Sequence, residues 1–197
     1  VFFVIAPNDG VVFQRDVLKM VESLTDAAWQ LPHSLRVDSL TNFQHTTADE
    51  EGLVVENLVE DASRLTETEI AVIKSVALKE SLIAGKLITD AANVTGVAVT
   101  INLPGESNDE FGEGARAARV VADEYRMLYP EIDIYLSGMI MGNNTTTELI
   151  EQDAVLLVPL MGLIIVFTLL LLLRSVRATL ATVTVIVMTL ASTMGLM

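Results

Sequence analysis

Residues Ala154–Leu173 read AVLLVPLMGLIIVFTLLLLL, and residues Ala178–Met197 read ATLATVTVIVMTLASTMGLM. Each stretch holds 20 residues without a charged side chain. A helix of that length reaches about 30 Å, the thickness of a bilayer's hydrocarbon core. Only the tetrapeptide Arg174-Ser-Val-Arg177 separates the two stretches. The sequence therefore predicts two transmembrane helices, at 154–173 and 178–197, joined as a hairpin by a turn at 174–177.

Charge is distributed unevenly along the chain. All 26 acidic residues and ten of the 12 basic ones precede Ala154, which gives residues 1–153 a net charge of −16. The only charged residues beyond that point are Arg174 and Arg177, both in the predicted turn. Because short cytoplasmic loops are enriched in Lys and Arg, these two arginines predict a cytoplasmic turn. The domain before it is then extracytoplasmic, in a multi-pass protein of the cell membrane.

Composition also excludes several classes of protein. A domain with so strong a negative charge cannot neutralise a run of phosphates, so nucleic acid is not an expected partner. The chain contains no cysteine, so it has no disulfide framework. It begins at Val1 without a methionine or a basic leader, and it ends at Met197 inside an apolar stretch. Both ends predict a piece of a longer membrane protein, with another span before Val1.

The first 43 residues have the pattern of a strand, a helix and a second strand. Phe2–Ala6 is an apolar run that ends at a proline and a turn, which is typical of a strand. Apolar residues recur at helical spacing within Val11–Leu31, and a proline then stops the pattern. Leu35–Leu40 alternates apolar and polar side chains and predicts a strand with one buried face.

The second part of the domain repeats these elements after an insertion. Residues 44–80 predict a helical insertion, in which Thr66 and Glu69 have the spacing of a capping box. The remaining elements are two strands that form a hairpin, a helix with a polar cap, and a last strand: Ser81–Thr89, Thr95–Leu103, a helix from Ser107, Asn108 or Asp109 to Tyr129, and Ile132–Leu136. Two split βαβ units of this kind predict an α+β fold with a ferredoxin-like domain over residues 1–144. A second capping box, Thr145–Glu148, predicts a helical lead-in at 145–153.

Several stretches together resemble the resistance–nodulation–division (RND) superfamily, in particular its predicted-exporter branch related to the MmpL and Patched-like proteins. They are Phe2–Pro7, Val37-Asp-Ser-Leu-Thr-Asn-Phe43 with Gln44-His-Thr46 after it, Leu82–Ile88, Thr95–Pro104 and the Leu172–Arg177 junction. The resemblance extends over essentially the whole chain. It implies that residues 1–144 are the porter domain between the first and second spans of such a protein. The two helices here are then its second and third spans.

For function, the resemblance implies export of lipid-like or hydrophobic substrates, driven by the proton motive force. The carboxylates of the family's proton relay lie on its fourth span, which this sequence does not contain, so no residue here takes that role. The implied partners are membrane lipids, the remaining helices and the second half of the same transporter, and the resemblance also allows a homo-oligomer. Two alternatives stay open: a Patched-like protein that senses lipids, and a membrane-anchored interaction module without transport.

No constellation of side chains indicates an enzyme. The two imidazoles, His33 and His45, lack the companions that a metal site needs, and His45 with Asp49 is more typical of surface residues. The chain has neither a Gly-x-Ser-x-Gly motif nor a Ser/His arrangement that would support a hydrolase. We therefore expect no catalytic residue, no metal and no cofactor.

Two groups of residues have both a functional and a structural interpretation. The second span carries hydroxyl side chains that suit a polar substrate path or, as the safer interpretation, helix packing: Thr179, Thr182, Thr184, Thr189, Ser192 and Thr193. Phe43, Trp29 and Phe111 are candidates for a hydrophobic substrate surface, although aromatic residues in such positions usually belong to the core. Pro159, inside the first span, predicts a bend.

Overall fold

The chain divides into two compact parts. The computed structural model describes residues 1–49, 52–105 and 109–195. Its compact units are Val1–Thr145, called here the α+β unit, and Thr146–Met197, called here the helix pair. The elements in chain order are β1 (Phe2–Pro7), α1 (Arg15–Trp29), β2 (Ser34–Asp38), β3 (Gln44–Asp49), β4 (Gly52–Asn57), a 3₁₀ turn (Ala62–Arg64), α2 (Glu67–Lys79), β5 (Thr95–Ile101), α3 (Glu110–Leu128), β6 (Ile132–Ser137), α4 (Met139–Leu173) and α5 (Val176–Gly195). The predicted α+β class is confirmed.

Four strands form one antiparallel sheet in the order β2-β5-β1-β6. On β1, Phe3 and Ile5 are fully buried and alternate with partly exposed residues, as expected for a strand with one face on the core. Helix α1 contacts β2 and β5, helix α3 contacts β6, and the two helices contact each other. The hydroxyls of Ser23 and Tyr125 join α1 to α3 by a hydrogen bond of 2.7 Å. The core therefore lies between this sheet and the two helices.

Side chains donate hydrogen bonds to backbone carbonyls on both outer strands of the sheet. On β6, the Nε atom of Arg126 donates to the carbonyl oxygen of Ile134 at 2.8 Å. On β2, the side-chain amide of Asn42 donates to the carbonyl oxygen of Val37 at 2.7 Å. An outer strand otherwise presents unpaired carbonyls to solvent or to another chain. One carbonyl on each outer strand of this sheet is therefore bonded by a neighbouring side chain.

The first half of the predicted helical insertion is a β-hairpin, which corrects that prediction. Strands β3 and β4 pair antiparallel, with His45 opposite Glu56 and Thr46 opposite Val55. Threonine and valine favour extended backbone because their branched Cβ atoms are crowded in a helix. Only the second half is helical. There the predicted capping box is confirmed: the Thr66 hydroxyl accepts from the Glu69 N–H at 3.3 Å, and the Glu69 carboxylate accepts from the Thr66 N–H at 2.7 Å.

The predicted strand Ser81–Thr89 is wrong. This segment consists of turns with two isolated bridges, Ala84 to Ile88 and Ile88 to Thr95. The reason lies in β5, which pairs with β2 over Ala98–Ile101, so the predicted hairpin is reduced to the bridge at Thr95. The apolar side chains of the segment still enter the core, since Ile83 is fully buried and Ile88 nearly so.

The start of α3 agrees with the prediction, whereas the start of α4 differs from it. Ser107 and Asn108 lie outside the described residues, and Asp109 occupies the cap position of α3 without a side-chain capping bond. Helix α4 begins at Met139, so the predicted capping box Thr145–Glu148 and lead-in 145–153 lie inside it. Ile140, Met141 and Asn144 are buried at helical spacing, and this burial stabilises helix before the predicted cap.

Candidate functional site

The turn between the two long helices is shorter than predicted. Helix α4 ends at Leu173 and α5 begins at Val176, so the turn is Arg174-Ser175, and Arg177 lies in the first turn of α5. Arg174 has a left-handed backbone with a φ of 47°, and its N–H donates to the Leu170 carbonyl at 3.0 Å. Both arginine side chains are exposed. Two cations therefore lie together at the turn, the position from which topology was predicted.

The two helices are long and apolar enough to cross a membrane. The most apolar windows of α4 and α5 have a mean hydropathy of 3.0 and 1.5, and they are 0% and 6% buried. The described residues do not cover the first window, since every side chain from Glu151 to Ile165 is exposed. Covered side chains cluster near the turn: Val166, Leu169, Leu170, Ala178, Thr182 and Val183 are partly covered, and Thr179 is buried. The rest of this apolar surface needs lipid or other apolar helices to cover it.

Five of the six candidate hydroxyl groups on the second long helix bond to a carbonyl four residues earlier. Thr184 donates to the Leu180 carbonyl, and Thr189 donates to the Val185 carbonyl, each at 2.8 Å. Thr179, Thr182 and Thr193 make the same bond to the residue four positions earlier. This back-bonding satisfies a threonine donor without a second helix or a substrate. It favours the packing interpretation for these five threonines.

The three candidate aromatic residues have different environments. Phe43 is partly buried and packs against the core. Trp29, at the end of α1, is 44% exposed, and Phe111, in the first turn of α3, is 38% exposed. The core interpretation therefore holds for Phe43, while Trp29 and Phe111 remain available for contact.

No metal centre appears among the residues that the structure describes, where no group of three or more candidate ligands comes together. His33 is exposed in the turn before β2, with a left-handed φ of 59°. His45 is partly buried on β3, opposite Glu56. The side chain of Asp49, its suggested neighbour, lies outside the described residues.

The Ser-Leu-Thr-Asn segment forms a compact polar junction after β2. Ser39 is fully buried and Thr41 is 3% exposed, and their hydroxyls lie 2.9 Å apart. The Asn42 side-chain oxygen accepts from the Ser39 N–H at 2.8 Å, while the Thr41 carbonyl accepts from the Val59 N–H at 3.1 Å. Buried polar groups are tolerated when they are bonded in this way. The segment thus joins β2 to the β3–β4 hairpin and has a structural role.

Sequence reasoning missed a groove on the α+β unit, called here the α2 groove. It has a volume of about 480 Å³ and lies between β4, the 3₁₀ turn and α2. Its lining includes four apolar side chains, Leu58, Leu65, Val72 and Ile73, and four acidic ones, Glu56, Glu60, Asp61 and Glu69. The density of acidic residues between Glu56 and Glu69 was the available signal, but only folding places them around one concavity.

Comparison with known proteins adds one positive finding. A family model described as MMPL family matches residues 19–197, which include most of the α+β unit and the whole helix pair. No curated protein matches the chain, and no solved structure matches it. The match covers the residues of both long helices and of every strand after β1.

Proposed function

The chain belongs to the MMPL family, and from that membership we propose that it is part of an RND-type secondary exporter. The proposed substrates are lipid-like or hydrophobic molecules, and the proposed energy source is the proton motive force. One observation carries the proposal: an α+β unit and two exposed apolar helices occur together within the matched residues. Without a membrane around them, these helices leave large aliphatic surfaces in water.

The α+β unit supports assignment as a ferredoxin-like porter domain. The first βαβ unit contains β1 and β2, and the second contains β5 and β6. In the sheet order β2-β5-β1-β6, strand β5 lies between β2 and β1. All neighbouring pairs are antiparallel. This arrangement is the one expected of two interleaved split βαβ units. The β3–β4 hairpin and α2 form the insertion between these units.

The proposed topology rests on Arg174 and Arg177. The positive-inside rule places their turn in the cytoplasm, which leaves the acidic α+β unit outside. Membrane lipids, the remaining helices and the second half of the same transporter are the proposed partners, and a homo-oligomer is compatible with them. Nucleic acid is not a proposed partner, because residues 1–153 carry a net charge of −16. We propose no enzymatic activity and no cofactor for this chain.

The test is transport by the complete protein that contains this chain, reconstituted in lipid vesicles. A fluorescent lipid should leave the leaflet in which it starts when a proton gradient is imposed, and a protonophore should stop that movement. Lipid binding without proton-dependent movement would instead indicate a Patched-like sensor. Neither binding nor movement would leave a membrane-anchored interaction module.

A further inference from the structure

We propose that the α2 groove is a binding site for small cationic amphiphiles, molecules that join one positive charge to an apolar body. The proposal concerns equilibrium binding to the α+β unit and does not depend on transport. It rests on the shape of the groove, its apolar floor and its unbalanced charge.

The size and floor of the groove suit an apolar body. Its volume of about 480 Å³ falls within the range of small-molecule sites. Ile73 is 7% exposed at the base, and Leu58 and Leu65 are partly buried. Val72, on the same helix as Ile73, is 59% exposed on the wall. A ligand that covers Val72 removes apolar surface from water, which favours binding.

The charge of the groove favours a positively charged ligand. Four carboxylates line it, against a single basic residue, Arg64. The guanidinium of Arg64 is already paired with Asp61, with Nε and Oδ2 2.9 Å apart, and its side chain is 87% exposed. Glu69 is held by Thr66 in the capping box. Glu56 and Glu60 are therefore the two exposed acidic residues of the lining that are left to meet a cation.

An anionic ligand does not suit this surface. Its charge would face Glu56 and Glu60 with only a paired arginine to offset them, so repulsion would oppose the gain from the apolar floor. A neutral lipid would gain the apolar contact but would leave the two carboxylates without a partner. A monovalent cation with an apolar body uses both features of the groove.

The experiment compares two ions of similar size and opposite charge, tetraphenylphosphonium and tetraphenylborate. The full chain in lipid nanodiscs is titrated by calorimetry, and the heat for empty nanodiscs is subtracted because both ions enter lipid. We expect saturable binding of tetraphenylphosphonium alone. The double variant Glu56→Gln/Glu60→Gln should weaken it roughly tenfold, which corresponds to about 1.4 kcal/mol. The control Glu124→Gln/Glu131→Gln makes the same two changes at exposed positions outside the groove and should leave the affinity within about twofold.

A second pair of variants tests the location without removing an acid. Val72→Arg places a cation in the groove wall and should abolish binding. Val120→Arg, at a position on α3 that is 66% exposed, should not change it, and circular dichroism checks that both variants are folded. Equal binding of the two ions overturns the proposal. So does an unchanged affinity in Val72→Arg, or an effect of Glu124→Gln/Glu131→Gln as large as that of the groove variant.

Discussion

The ring of Phe2 on β1 lies directly against Gly96 on the neighbouring strand β5, in the space that a Cβ atom at position 96 would occupy. Any side chain at this position must displace the ring or the strand. Overpacking of this kind costs about 1–3 kcal/mol, so we expect Gly96→Ala to lower the free energy of unfolding by that amount. Urea unfolding followed by the fluorescence of Trp29, the single tryptophan and a residue of the α+β unit, measures it.

A double-mutant cycle separates this contact from other effects of the substitution. In a Phe2→Ala background the ring is gone, and Gly96→Ala should then cost much less. As a matched change, Gly142→Ala puts a methyl group where no other atom lies within 4 Å, and it should not destabilise the chain. Equal costs in both backgrounds would show that the ring is not the cause.

The capping box of α2 should contribute measurably to stability. Thr66→Ala removes the hydroxyl that accepts from the Glu69 N–H, and loss of such a cap costs about 1 kcal/mol. Urea unfolding of the full chain measures the change. Thr68→Ala, two residues further along the chain and without a capping role, serves as the control and should have little effect.

The same box should make stability depend on pH in the acid range. Hydrogen bonds from Thr66, its backbone N–H first, hold the pKa of Glu69 below its usual value. A carboxyl with a lowered pKa in the folded state stabilises the fold above its unfolded pKa, and the contribution is lost as pH falls through the folded value. We therefore expect unfolding to become easier below about pH 4, and less steeply in Glu69→Gln. Hydrogen bonds also lower the pKa of Asp9, Asp61 and Asp109, so part of the slope should remain.

Removal of the two turn arginines should disturb membrane topology. Arg174→Asn with Arg177→Gln removes both charges, and asparagine tolerates the left-handed backbone at position 174. Without these cations the positive-inside preference is lost. Because the chain contains no cysteine, a single Glu131→Cys can report, by its reaction with an impermeant maleimide on whole cells, which side the α+β unit occupies. We expect the labelled fraction to fall, whereas Arg64→Gln should leave it unchanged.

The threonines of α5 offer a direct choice between two interpretations. Thr184→Val with Thr189→Val keeps the side-chain volume but removes hydroxyls that bond carbonyls of their own helix. If packing is their role, insertion and transport should change little. A loss of transport with normal insertion would instead support a polar substrate path. Vesicle transport by the complete protein, with the amount of inserted protein as the control, decides between them.

Local patterns in the sequence were reliable where one segment determines its own structure. The uncharged runs predicted α4 and α5, and the spacing of Thr66 and Glu69 predicted the start of α2. Prediction failed where the outcome depends on distant partners. Ser81–Thr89 has strand-like composition, but β2 pairs with β5 over Ala98–Ile101 and leaves only the bridge between Ile88 and Thr95. The start of α4 likewise depends on burial of Ile140 and Met141 against the rest of the unit.

The site was less predictable than the fold. Arg174 and Arg177 could be found from charge alone, because no other charged residue follows Asp153. The α2 groove could not, since its walls come from a strand, a 3₁₀ turn and a helix. The interpretation of residues 44–57 as helical also hid the strand that carries Glu56. The sequence shows the acidic residues, but only the folded structure shows that they line one groove.

The side-chain bonds on the two outer strands affect how readily the α+β unit can aggregate. A sheet with free outer strands can recruit strands from neighbouring chains and begin to aggregate. Here Arg126 and Asn42 occupy carbonyls on the two outermost strands, so an incoming strand would first have to break these bonds. These two bonds therefore make it harder for a strand of another copy to pair with either edge of the sheet, which lowers the tendency of the α+β unit to aggregate.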